Sequence, residues 1–390
     1  MTEKLFYEES HMDRFTARVE ACTALDEKFE VVLDRTAFFP EGGGQYADTG
    51  VLNQAKVLDV QEKDGVIYHI TDTALSEGSS VQGQIDWKLR FMKMQQHTGE
   101  HIVSGIVHRR FGFQNVGFHL GSEDCTMDFN GEITKEELRE IEWEANETAV
   151  KNLPVEVSYP SKEELANMEY RSKIEIEGQV RIVTIPGCDV CACCAPHVKT
   201  TGEIGMIKLT NVQRYKGGVR VTMLCGFRAL RDYNEKEKSV REISASLCAK
   251  EDTVAQAVDR QKEECTLLKE KLAEQQREIL EYKVGQIPEA KEAVCLFEES
   301  LEGDGPRTLV NMVLSRGIGF GAVFQGNDES GYRYVIGSKK QDLRPLAKEL
   351  NAAFEGRGGG KAEMVQGSLK GSKEQLRAWI QKKVGNLEYE

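Results

Sequence analysis

The chain has 390 residues, 40% hydrophobic and 29% charged, proportions of ordinary globular protein in a length that calls for two to four domains. No apolar run approaches the roughly 18 residues of a membrane span, and the start Met1-Thr2-Glu3-Lys4-Leu5-Phe6 lacks signal-peptide architecture, so no membrane partner and a cytoplasmic location are expected. The net charge of −13 argues against a simple nucleic-acid binder, yet residues 305–390 hold 14 Lys and Arg against 9 Asp and Glu, a balance of +5, which lets one end hold a nucleic acid.

Residues 1–85 read as β. Short alternating or apolar runs recur at 17–21, 29–33, 56–60 and 65–70, separated by turn residues, as in a small barrel or sandwich. The run Phe39-Pro40-Glu41-Gly42-Gly43-Gly44-Gln45 interrupts them. Residues 86–228 form an α+β block. Leu89 to Phe111 has helical periodicity, and a second helix starts at Thr134 with Glu137 in the capping-box position and stops at Asn152 and Pro154. Strand-like residues 179–185 lead into a cysteine-rich stretch, and residues 204–224 read as β.

Residues 229–285 read as a helical arm. Val254, Gln261, Leu268 and Gln275 fall on heptad a positions, and Val258, Cys265, Leu272 and Ile279 on d. A break at 250–253, with Asp252 or Thr253 as cap, makes an antiparallel hairpin and a dimerising coiled coil equally consistent. Residues 286–390 return to α/β patterning, with neighbouring strands at 321–325 and 332–337 and helices at 343–354 and 373–383. The fold class expected is α+β and multidomain.

Two short patterns carry the chemistry. His97-Thr98-Gly99-Glu100-His101 and Cys193-Cys194-Ala195-Pro196-His197 each place two zinc-type donors four residues apart, one turn of a helix. Together they offer His97, His101, Cys193 and His197, a donor set that a tetrahedral Zn²⁺ accepts. Clustered cysteines outside a disulfide framework also point to metal or redox chemistry. Cys188, Cys191 and Cys194 compete for a place, but Cys193 alone stands four before His197. Alone, the first pattern also fits an inverted His-x-x-Glu-His metallopeptidase with Glu100 as general base. A third reading is a non-catalytic protein with a closed, structural zinc. Gly358-Gly359-Gly360-Lys361 is no phosphate loop, since Glu355 and Ala362 stand where Gly and Ser/Thr are required, although a backbone site for an RNA phosphate stays open.

Taken in order, the run 39–45, Gln96 to His101, Cys193 to His197 continuing into Thr201-Gly202-Glu203-Ile204-Gly205, and Gly356-Arg357-Gly358-Gly359-Gly360 with Gln366-Gly367 resemble the free-standing alanyl-tRNA editing proteins of the long AlaX type. The resemblance implies a translation-factor-like β-barrel (1–85), a zinc-binding editing domain (86–228), a helical arm (229–285) and a DHHA1-type module (286–390) that contacts tRNA or mediates dimerisation. The implied activity is hydrolysis, in trans, of the ester in mischarged Ser-tRNA(Ala) and Gly-tRNA(Ala). The implied partners are that tRNA and, through residues 229–390, a second copy. Thr36 occupies the place of a threonine implicated in the family's amino-acid pocket, and Gln45 would bound the same pocket. The family's usual Cys-Gly-Gly-Thr-His is altered here, because Cys194, Ala195 and Pro196 replace its middle three residues.

Overall fold

A computed structural model describes every residue except 123, 173–178, 289–291, 300, 302, 386–387 and 390. The architecture is mixed α+β, and the chain divides into two compact units, Met1–Glu242 and Ile243–Glu390.

In the first unit six strands close into a barrel in the order Arg14–Leu25, Lys28–Leu33, Val66–Thr71, Ala55–Lys63, Gly50–Leu52 and Ser80–Ile85. Strict alternation makes this possible: Phe15, Ala17 and Val19 point inward, as do Val81 and Ile85. Period-two burial gives each strand one apolar face to turn toward the axis. The segment between Thr36 and Gly50 leaves the barrel wall and carries the glycine run.

The barrel leads directly into the helix Trp87–Phe111. Asp86 caps it by accepting from the Leu89 amide, and Gly112 ends it in the left-handed conformation (φ 72°). This helix and Lys135–Val150 share a core with an antiparallel sheet ordered Ile207–Tyr215, Gly218–Cys225, Cys125–Phe129 and Asn115–Leu120. The Thr134–Glu137 capping box is present with both of its hydrogen bonds. A smaller sheet, Glu156–Ser158, Ile182–Ile185 and Asp189–Ala192, delivers the cysteine-rich segment to the helix Trp87–Phe111.

In the second unit the described strands form a sheet ordered Arg357–Lys361, Met364–Leu369, Gly331–Ser338, Phe320–Asn327, Ala293–Glu298 and Glu388–Tyr389. Leu309, Val310 and Val313 of the helix Gly305–Ser315 pack on one face, and Ala347, Leu350, Leu376 and Ile380 on the other. The glycine run 358–360 is an edge strand, paired on one side with Met364–Leu369. The helix Val254–Gln286 begins after a short 3₁₀ turn at Glu251–Thr253. Thr253 precedes the helix without capping it; its hydroxyl donates to the Lys250 carbonyl instead. Leu268, Leu272 and Ile279 of the heptad are exposed.

Candidate metal centre

His97 and His101 lie in the middle of the buried helix, one turn apart on one face. Gly105, a further turn along that face, has no side chain because a Cβ there would stand 2.4 Å from the Cys188 carbonyl oxygen. That close approach brings the strand Asp189–Ala192 against the helix. Residues 193–197 then turn back so that Cys193 and His197 face the histidine pair. One donor atom from each of His97, His101, Cys193 and His197 lies within 4.8 Å of every other. The Cys193 Sγ is 3.5 Å from His97 Nε2 and 3.4 Å from His197 Nε2.

The outward nitrogens explain the inward ones. His97 Nδ1 pairs with Gln45 Oε1 at 3.1 Å, His101 Nδ1 with Asp189 Oδ2 at 2.8 Å, and His197 Nδ1 with Thr98 Oγ1 at 3.0 Å. A carboxylate or amide oxygen can only accept, so His97 and His101 donate from Nδ1, which leaves Nε2 as the nitrogen available to a cation once it is deprotonated. Outer partners of this kind fix ring orientation and raise ligand basicity at metal sites. Asp189 is itself gripped by Arg171 at 2.7 and 2.8 Å. Three imidazoles and a thiolate whose donor atoms all lie within 4.8 Å of one another form a set that suits Zn²⁺.

Electrostatics agree with the geometry. Burial pushes the Cys193 thiol up, but the surrounding imidazoles of His97, His197 and His101 outweigh it and hold the thiol well below its ordinary value. Burial pulls His101 down, yet the Asp189 carboxylate lifts it well above the usual imidazole range. Asp189 responds in the opposite sense: burial raises it, and His101 and Arg171 bring it below the ordinary carboxylate range. Burial lowers His197 to about 3, against the pull of Cys193.

The other sequence-selected residues divide. Gln45 is 1% exposed and in direct contact with His97, and its Nε2 is buried without a hydrogen-bond partner. The glycine run brings it there: Gly44, at φ 80°, lies so close to Phe118 that a Cβ would stand 2.7 Å from that residue's carbonyl oxygen. Thr36 lies just past the barrel strand Lys28–Leu33, in the short strand Arg35–Thr36, which pairs in parallel with Glu3–Lys4. Its hydroxyl is 2.8 Å from His69 Nε2 and accepts from the Phe38 amide at 3.1 Å; none of the described hydrogen bonds joins it to the four donors. Cys194 Sγ faces Gly43, Cys188 Sγ reaches the Ile102 carbonyl, and Cys191 stands with His101 and Asp189. Glu100 accepts from Ser104 Oγ at 2.7 Å and Asn115 Nδ2 at 2.5 Å. Sequence reasoning missed Asp189, Arg171 and Thr98, since no spacing rule ties them to the histidines; the only cue is that Thr98 and Asp189 fall inside or beside the two donor patterns.

Comparison with known proteins adds independent support. The family described as tRNA synthetases class II (A) matches residues 2–89, and the threonyl and alanyl tRNA synthetase second additional domain matches residues 180–222. An alanyl-tRNA editing protein AlaX-L from Pyrococcus horikoshii is 27% identical over 96% of this chain and 96% of its own length. Alanine–tRNA ligases from Pyrobaculum neutrophilum and Ignicoccus hospitalis are each 32% identical, over 98% and 72% of the chain. The chain spans only 44% and 32% of those ligases. Over nearly its whole length, the chain resembles the alanyl-tRNA editing proteins of the long AlaX type.

Proposed function

We propose that the protein hydrolyses, in trans, the ester of mischarged Ser-tRNA(Ala) and Gly-tRNA(Ala), with zinc held by His97, His101, Cys193 and His197. The observation that carries this reading is the pairing of those four donors with Gln45, a buried residue with a spare amide N–H beside His97. An aminoacyl ester is already activated, so its hydrolysis calls for a positioned water and a donor to the carbonyl oxygen as negative charge develops there. Water adds to the carbonyl carbon, the acyl–oxygen bond breaks, and the terminal ribose leaves as a hydroxyl. Gln45 Nε2 is suited to donate to that oxygen. A bound zinc would supply Lewis-acid polarisation.

Selectivity falls to the pocket. A site that hydrogen-bonds the seryl hydroxyl disfavours alanine, whose methyl leaves the site's polar group unpaired. We assign this to Thr36, with Gln45 bounding the pocket. For Thr36 to meet a seryl hydroxyl, its bond to His69 must be exchanged. The peptidase reading is disfavoured because both potential metal groupings among the described residues lack a glutamate, while Ser104 and Asn115 hold Glu100. The structural-zinc reading is favoured by one observation, four protein donors that together fill a tetrahedral shell. His97→Ala separates the two: loss of deacylation beyond any loss of stability supports the enzyme.

For the tRNA partner we propose the second unit. Arg307, Arg333 and Arg357 line one cavity of about 430 Å³ beside Gly367. Cross-strand register sets Arg333 and Arg357 on either side of Ser368, and such a row of cations suits phosphates. The exposed Leu268, Leu272 and Ile279 support a homodimer through residues 229–390. None of the helices among the described residues is long and apolar enough to cross a membrane; with the translation-related relatives, a cytoplasmic site of action is proposed.

A further inference from the structure

One buried ionic cluster has no part in the chemistry above. Asp48, Arg90 and Lys93 have side chains at most 1% exposed. Asp48 accepts from the Phe39 amide at 2.8 Å, from Arg90 Nε at 2.7 Å and again from Arg90 Nη2, with Lys93 Nζ at 3.4 Å. Its own amide donates to the Phe39 carbonyl at 3.0 Å. Phe39 and Asp48 therefore close the base of the segment that carries the glycine run and Gln45.

Both cations come from the helix Trp87–Phe111 and reach further into that segment's two ends. Arg90 donates to the Ala37 carbonyl at 2.6 Å and to that of Ser10 at 3.2 Å. Lys93 donates to the carbonyls of Ala47 at 2.5 Å and Tyr46 at 3.2 Å, with Nζ 4.0 Å over the Tyr46 ring. These carbonyls absorb the positive charge that one carboxylate leaves uncompensated. At the tip, the Gly44 carbonyl accepts from the Leu120 amide at 2.9 Å, and Gln45 meets His97.

Helical spacing ties base and tip together. Residues 90, 93, 97 and 101 succeed one another at three, four and four positions, so the cations and the histidines share one helix face. The rigid rise of that helix sets where the segment's base stands relative to the rings. A buried ion cluster is weak evidence for stability, because desolvation offsets its attraction, but it holds geometry by demanding all of its partners at once.

We propose that Asp48, clamped by Arg90 and Lys93, is a positioning residue that holds the Gln45 side chain against His97. It acts through Gln45 and touches neither substrate nor metal. The proposal rests on the metal reading of the four donors, and its turnover arm on the deacylase reading.

The test uses the full chain loaded with Co²⁺, compared as wild type, Asp48→Asn, Gln45→Ala and the double variant. Asp48→Asn keeps the shape and removes the charge. All forms are expected to bind metal in the wild-type ratio, since every donor remains. The cobalt absorption bands of Asp48→Asn are expected to move as those of Gln45→Ala do, with no further movement in the double variant. With seryl-tRNA, kcat should fall about 10-fold or more with KM changed less than about 2-fold, and the two single losses should not multiply. Wild-type cobalt bands in Asp48→Asn, or multiplying losses, would overturn the proposal. Should Asp48→Asn fail to fold, Lys93→Met, which keeps the Arg90–Asp48 pair, carries the same comparison. A wild type that spares every ester removes the deacylase reading, while the cobalt comparison still decides the positioning role.

Discussion

His101 Nδ1 lies 2.8 Å from Asp189 Oδ2, and Arg171 donates to both oxygens of the same carboxylate. This links an imidazole on the long helix to the strand that ends at the cysteine loop. The two halves of the donor set, 92 or more positions apart in sequence, thus share one carboxylate anchor as well as the space between them.

Cys193→Ala removes the thiolate and leaves three imidazoles. Metal content of the purified protein is expected to fall from about one equivalent to less than about half after dialysis against a weak chelator. Deacylation should fall with it. Elemental analysis beside a seryl-tRNA assay checks both; unchanged metal and activity would return the peptidase pattern to consideration.

Asp189→Asn keeps the shape and removes the charge that orients His101. Metal affinity is expected to drop about 10- to 100-fold, measured by competition with a coloured chelator. The metal-free protein carries a pH signature too. Asp189 sits below its ordinary value, so its contribution is present above about 3.9, the unfolded value, and is lost as pH falls through the folded one. His101 sits above its ordinary value, so its contribution is present below about 6.5 and is lost as pH rises through the folded one. Urea unfolding across pH should show both limbs in wild type and flatter limbs in Asp189→Asn.

Thr36 and His69 can be separated by substitution. His69 is fully buried and pushed down to about 4 by burial, so it is neutral in the fold. Its contribution is present above about 6.5 and declines as pH falls toward 4, by about 3 kcal/mol in all. His69→Gln should remove most of that acid slope in thermal melts. Thr36→Val is expected to slow seryl-tRNA hydrolysis far more than glycyl-tRNA hydrolysis. Equal rates on both, with only about 1 kcal/mol lost from stability, would limit Thr36 to partnering His69.

Arg333→Glu with Arg357→Glu should weaken tRNA binding and lower the slope of log affinity against log salt by about 2. Filter binding over a salt series reads both. Metal content should stay at the wild-type level.

Much of the donor geometry was legible because it is local. Four-residue spacing on a periodic helix puts His97 above His101 whatever surrounds them, and the Thr134–Glu137 capping box is a three-residue rule. Barrel strands such as Arg14–Leu25 declare themselves by alternation. The strand Asn115–Leu120 does not, because its burial is irregular and its partner carries a register shift at Asp128/Phe129. The helix Gly305–Ser315 opens on Gly-Pro, which reads as a turn although proline is well placed in a first helical turn. Asp189, Thr98 and the Asp48–Arg90–Lys93 cluster were invisible for a different reason: each meets its partner across 42 to 99 residues, and only the folded chain pairs them.

The most direct measurement incubates the purified, zinc-loaded protein with seryl-, glycyl- and alanyl-tRNA(Ala) and follows the ester by acid precipitation. Rapid loss of the seryl and glycyl esters, with the alanyl ester spared, is the predicted result. Seryl and glycyl esters that persist at the rate seen without protein would contradict the account.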